Sequence, residues 1–155
     1  DTLVILDDSI VRGTTLRESI ITMLARLDPR RIIVVSSAPP IMYPDCYGID
    51  MSQLGRFIAF EAAVALLHDR GDESLLQEVE DACREQVELP TEQMVNHVAR
   101  IYERFTLEEI EGRIATLIRS ERLEWDGEIS VVYQSIDGLR EAMPGHTGDW
   151  YFTGE

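Results

Sequence analysis

The sequence predicts an α/β fold built on a parallel sheet of about three strands, and three observations carry that expectation. Two short β-branched runs, "TLVIL" (Thr2 to Leu6) and "RIIVVSS" (Arg31 to Ser37), are apolar at consecutive positions, as in parallel strands buried on both faces. A stretch with helical periodicity lies between them. A third run of the same kind, "EISVVYQ" (Glu128 to Gln134), returns near the end of the chain.

Taken in order, the first strand ends on two aspartates and a short loop, and "TTLRESIITMLARLD" follows. This stretch places Leu16, Ile20, Met23, Leu24 and Leu27 on one helical face, and Pro29 stops it. Strand, helix and strand make a crossover, expected to be right-handed. "SAPPIMYPDCYGID" is too rich in proline for regular structure. Helical patterns then run near Ser52 to His68, Glu73 to Val87, Thr91 to Phe105 and Leu107 to Arg122, punctuated by Gly71 and Pro90. Asp72 is placed to cap the second of them, and "TLEE" from Thr106 is a capping box for the fourth. After the third strand, Ser135 caps a short helix, "SIDGLREAM".

Composition narrows the function. A chain of 155 residues with 45% hydrophobic content has the length and apolar content of one globular domain. No run approaches the roughly 18 apolar residues of a membrane span, and no signal-peptide pattern stands at the amino end, so a cytoplasmic location with no membrane partner is expected. Cys46 and Cys83 lack metal-site or disulfide-framework spacing and read as ordinary thiols. A net charge of -15 disfavours a nucleic-acid partner, which normally needs a basic stripe. All 14 basic residues are arginine, which excludes a Schiff-base or phosphate-loop lysine. His68, His97 and His146 share no ligand spacing, and Trp125, Trp150 and Tyr151 read as packing residues. Because the chain starts on an apolar strand, and three parallel strands with bare edges make a poor domain, it is expected to be a piece of a longer protein.

The stretch "VILDDSIVRGTT" (Val4 to Thr15) carries the chemistry. Ligands of open parallel sheets sit beyond the carboxyl ends of the strands, and this is such an end. A loop closing into a helix amino end offers free backbone N–H groups and a positive partial charge, so it holds a phosphate monoester without lysine. Gly13 lets the backbone approach closely, and Thr14 and Thr15 add hydroxyls. Asp7 and Asp8 would repel that phosphate on contact, so they must serve another part of the ligand. Vicinal ribose hydroxyls and a magnesium ion are natural partners for carboxylates. The implied ligand is a ribose 5-phosphate with a metal-bound group at the anomeric end.

"VILDDSIVRGTT" resembles the phosphoribosyl-pyrophosphate (PRPP) signature of type I phosphoribosyltransferases, and in the form "DDSIVRGTT" it is similar to that of the amidophosphoribosyltransferase family. "SSAPPIMYPDCYGIDM" (Ser36 to Met51) and the terminal "DWYFTGE" resemble two further elements of that family. The resemblance implies a type I phosphoribosyltransferase parallel-sheet fold. It implies transfer of glutamine-derived ammonia to PRPP, giving 5-phosphoribosylamine and pyrophosphate in purine synthesis, with Mg2+ as cofactor. Asp7 and Asp8 would contact the ribose hydroxyls and the metal, and Ser9 through Thr15 would cradle the 5-phosphate. Arg12 either reaches a phosphate or points to water. Tyr47 and Asp50 would form a hood over the anomeric centre, although Asp50 could instead cap the following helix.

The family also implies a glutaminase domain in the same full-length chain and a homo-oligomer. That glutaminase and the family's pyrophosphate and flexible loops are missing from these residues, so this piece alone is expected to be inactive. Some members hold an iron-sulfur cluster through cysteines near the "YGID" and "FTGE" elements; Cys46 is the one cysteine nearby, so no cluster is expected. Against the family pattern, residues 1–66 read as phosphoribosyltransferase core, 67–126 as a large helical insertion, and 127–155 as the returning strand and helix plus a tail. A non-catalytic PRPP-sensing module and a helical protein-interaction fragment remain the alternatives.

Overall fold

The computed structural model describes residues 1–48 and 51–155. Strands β1 (Thr2–Asp7), β2 (Arg31–Ser36) and β3 (Glu128–Tyr133) form one parallel sheet in the order β1-β2-β3. The expected α/β class and strand number are what the structure shows, in keeping with a type I phosphoribosyltransferase-like fold. Register puts Ile5, Val34 and Val131 in one row across the sheet and Asp7, Ser36 and Tyr133 in the last row, at the carboxyl ends. Side chains alternate, so both rows lie on the same face. That face is the covered one: Ile32, Val34, Val131 and Tyr133 belong to a single core cluster with residues of the helices.

The opposite face corrects an expectation. Val4, Leu6 and Val132 are 66%, 74% and 45% exposed, so β1 and β3 are not buried on both sides. Continuous apolar sequence makes a strand suited to two covering layers, but among the described residues the helices leave this face of β1 and β3 open.

The crossover departs from its expected register. The helix opens with a wide turn, Leu16–Ile20, in which the Ile21 N–H donates to Leu16 C=O five residues back, and continues as α1 (Ile21–Ala25). That extra residue rotates the buried stripe onto Leu16, Ile21 and Ala25 and leaves Met23 and Leu27 exposed.

The following helix, α2 (Ile58–Arg70), starts later than the expected Ser52, because Gln53 and Phe57 keep extended backbone around a 3-10 turn at Leu54–Arg56. Gly71, at φ 73, ends it; its N–H caps the His68 carbonyl, and the Asp72 N–H caps that of Leu67. No side chain caps α3 (Ser74–Glu85); Asp72 serves through its backbone carbonyl, which accepts from Leu75.

The helix expected over Thr91 to Phe105 is a 3-10 turn, Thr91–Gln93, and a single-turn α4 (Ala99–Tyr102). Gln86 explains the break. Its side-chain amide donates to Val95 C=O (2.8 Å) and accepts from Val95 N–H (2.9 Å), pairing that residue as a strand neighbour would and keeping it out of a helix.

Helix α5 (Leu107–Leu117) has the expected capping box: Glu109 N–H donates to Thr106 Oγ1, and Thr106 N–H to Glu109 Oε2. It ends short of Arg122, where Arg119 turns the chain by donating to the carbonyls of Trp125 and Gly127. Arg70–Glu109 and Arg113–Asp69 ion pairs tie α5 to α2. Ser135 Oγ caps α6 (Ile136–Ala142) as expected, accepting from Gly138 N–H, and α7 (Trp150–Thr153) closes the chain. Among the described residues, no helix is long and apolar enough to cross a membrane.

Candidate functional site

Beyond the carboxyl end of β1 lies a cavity of about 580 Å³ lined by Asp7, by every residue from Ser9 to Thr15, and by Leu16 and Ile20. The loop is anchored from behind. Ile58 N–H, at the start of α2, donates to Val11 C=O (2.8 Å), and Ile10 is buried beneath it. Arg17 N–H donates to Gly13 C=O (2.9 Å), which makes Gly13 the first acceptor of the helical turn and leaves the N–H groups of Thr14 to Leu16 with no intrahelical carbonyl to bind.

Gly13 itself is required twice over. Its φ is 65°, and a Cβ there would stand 2.2 Å from Ile58 Cδ1.

The two carboxylates turn local backbone to their use. Asp7 Oδ1 accepts from Asp8 N–H (3.0 Å) and Asp8 Oδ1 from Ser9 N–H (2.8 Å). Burial holds the Asp7 carboxyl above its ordinary pKa, the Asp8 N–H works against that, and the neighbouring Asp8 side chain reinforces it. An acid pair this close is relieved by a cation. No group of three or more His, Cys, Asp or Glu side chains able to hold a metal occurs among the described residues. A pair nevertheless suits magnesium, which takes one or two carboxylates together with substrate phosphate oxygens and water.

Of the residues expected from sequence, Asp7, Ser9, Arg12, Gly13, Thr14 and Thr15 meet around this one cavity, and Asp8 adjoins it. Tyr47 is 85% exposed, and its N–H donates to Asp45 Oδ1. Asp50 lies outside the described residues.

Sequence reasoning missed Ser37, whose N–H donates to Asp7 C=O (2.9 Å) and whose hydroxyl donates to Asp8 C=O (3.3 Å), fixing the acid pair from just past the end of β2. The signal was present: "SS" ends the second strand at the same sheet end as the acids. Two distant stretches also meet. Met42 and Tyr43 N–H donate to Tyr151 C=O, and Trp150 Nε1 to Pro44 C=O (2.8 Å), so the proline-rich excursion and the terminal "DWYFTGE" pack as one unit.

On the far side of the sheet end, Glu111 of α5 occupies the free edge of β3, its Oε1 accepting from Tyr133 N–H (2.7 Å). Burial raises its pKa; the Tyr133 N–H opposes this and Glu108 adds to it. A carboxyl with a folded pKa above its unfolded value loses stability as pH rises from the ordinary range through the folded pKa. Glu111→Gln keeps an acceptor for Tyr133 without the charge. It should raise the melting temperature at pH 7 and give no gain below about pH 4, where both carboxyl forms are neutral. Equal melting curves at both pH values would contradict this.

No protein-family model and no solved structure matches the chain. Curated relatives do. The chain is 38% identical over 87 residues to the amidophosphoribosyltransferase of Schizosaccharomyces pombe, covering 53% of this chain and 16% of that protein. It is 47% identical over 62 residues to the amidophosphoribosyltransferase of Bacillus subtilis, covering 40% and 13%. With that of Escherichia coli the figures are 44% over 57 residues, 37% and 11%. The matches span less than a fifth of each of these relatives. Over that stretch the chain is a sequence relative of the amidophosphoribosyltransferases, matching a part of them.

Proposed function

We propose that this chain is the PRPP-binding portion of an amidophosphoribosyltransferase, acting in purine synthesis. The observation that supports this best is the unbroken lining of one cavity by Ser9 to Thr15 beside Asp7, in a chain related to these enzymes. Ammonia would come from a glutaminase domain of the same protein, and 67–126 is read as a helical insertion that shares the core.

In this reading the amides of Thr14 to Leu16 and the hydroxyls of Thr14 and Thr15 hold the 5-phosphate, as a helix amino end holds an anion. Arg12, on the same cavity, adds positive charge. Asp7 and Asp8 accept from the ribose hydroxyls, fixing the ring so that the anomeric carbon faces the incoming amine. Their charge also favours the developing positive character of the ribosyl group. Magnesium, held by the same pair, would supply neutralisation of the departing pyrophosphate. An amine attacks with little help from a base, so positioning and electrostatics carry the reaction.

Titration of PRPP with magnesium into the protein by calorimetry tests this. Saturable one-to-one binding that needs magnesium is expected. No heat of binding with magnesium present would reject the assignment.

A further inference from the structure

The last row of the sheet holds a polar side chain that has no partner among the described residues and that the proposed site does not use. Tyr133, at the end of β3, is 94% buried, and its hydroxyl is enclosed with no hydrogen-bond partner among the described residues. A buried hydroxyl left unpaired costs about 1–3 kcal/mol, and phenylalanine would fill the same space without that cost. The neighbours in the row are committed: Ser36 Oγ donates to Ala38 C=O (2.8 Å), and Asp7 Oδ1 takes the Asp8 N–H. Register places Tyr133 on the same sheet face and at the same level as Asp7, with Ser36 between them. The charges of Glu111 and then Asp7 act on this hydroxyl. Burial first, and then those two charges, hold its pKa well above the ordinary tyrosine value, so the group stays a proton donor. Glu111 already serves the Tyr133 backbone.

We propose that Tyr133 is a positioning residue of the sugar-phosphate site, its hydroxyl donating to the Asp7 carboxylate when ligand is bound and setting that carboxylate against the ribose. The inference rests on the function proposed above and adds a residue to its sugar side. The hydroxyl acts through Asp7, so it should matter for the sugar and not for the phosphate. Bound ligand would draw the Asp7 carboxylate into a single orientation, within reach of the Tyr133 donor.

Tyr133→Phe removes the hydroxyl and keeps the ring. Two probes separate the outcomes: ribose 5-phosphate with magnesium, which engages loop and acids, and inorganic phosphate, which engages the loop alone. The variant should bind ribose 5-phosphate about tenfold more weakly, bind inorganic phosphate as the parent does, and melt at the same or a higher temperature. Unchanged affinity for both probes would overturn the inference while leaving the proposed function standing. Equal weakening of both would also overturn it, by showing a general disturbance of the loop. If the parent protein binds ribose 5-phosphate no better than inorganic phosphate, the functional reading fails and this inference with it.

Discussion

Replacing Asp7 and Asp8 together by asparagine is expected to weaken magnesium-dependent ribose 5-phosphate binding about 100-fold or more, with no loss of stability. The magnitude follows from removing two charged acceptors, each worth about 1.5–3 kcal/mol to a hydroxyl or cation. The stability claim follows from geometry. Each asparagine retains a side-chain carbonyl for the backbone N–H that the aspartate now binds, at Asp8 and Ser9. Burial and the adjacent Asp8 already disfavour the Asp7 charge, so its removal should leave the melting temperature unchanged or raise it. Inorganic phosphate, which in the proposed reading meets the loop alone, should bind the variant at least as well as the parent, since two negative charges near the anion would be gone. Calorimetry with both ligands, beside a thermal melt, reads all three. A variant that binds ribose 5-phosphate like the parent would remove the acids from the site.

Gly13→Ala should damage fold and site together. The left-handed backbone at φ 65° costs a residue with a Cβ about 1–2 kcal/mol. The new methyl would also overlap Ile58 Cδ1 and crowd Ile118 Cγ2 at 3.3 Å, and overpacking of this kind costs about 1–3 kcal/mol more. Ile58 N–H carries the hydrogen bond that anchors the loop, so any shift of Ile58 moves the amides proposed to hold the phosphate as well. The companion change Ile58→Val deletes the clashing atom. The double variant should therefore recover the steric part of the loss and keep the backbone part. A double-mutant cycle in denaturant measures this. Strict additivity would show that the clash is not what Gly13 avoids.

The parts of the fold that rest on local chemistry were legible in the sequence. The β-branched runs at Thr2, Arg31 and Glu128 became the three strands, and Thr106 with Glu109 and Ser135 with Gly138 capped their helices as written. The loop was legible for a related reason. Paired acids followed by Gly-Thr-Thr were expected at the carboxyl end of the first strand, and Asp7 and Ser9 to Thr15 line one cavity there.

What stayed hidden depends on partners far along the chain. The wide turn at Leu16–Ile20 shifts the buried stripe by one residue, which a fixed helical period cannot register. Val95 leaves the helical pattern because of the side chain of Gln86, and the one-sided sheet depends on layers rather than on strands. Tyr133 was read only as part of an apolar strand. The role proposed for it rests on standing in one row with Asp7, a relation that exists only after β1, β2 and β3 have paired.

Backbone amide shifts offer the most direct test of the account. Addition of ribose 5-phosphate with magnesium to the 15N-labelled protein should move the Thr14, Thr15 and Leu16 amide resonances first and furthest, saturating together with one dissociation constant. Unmoved resonances in that loop at saturating ligand, or amides there already protected from hydrogen exchange in the free protein, would contradict it.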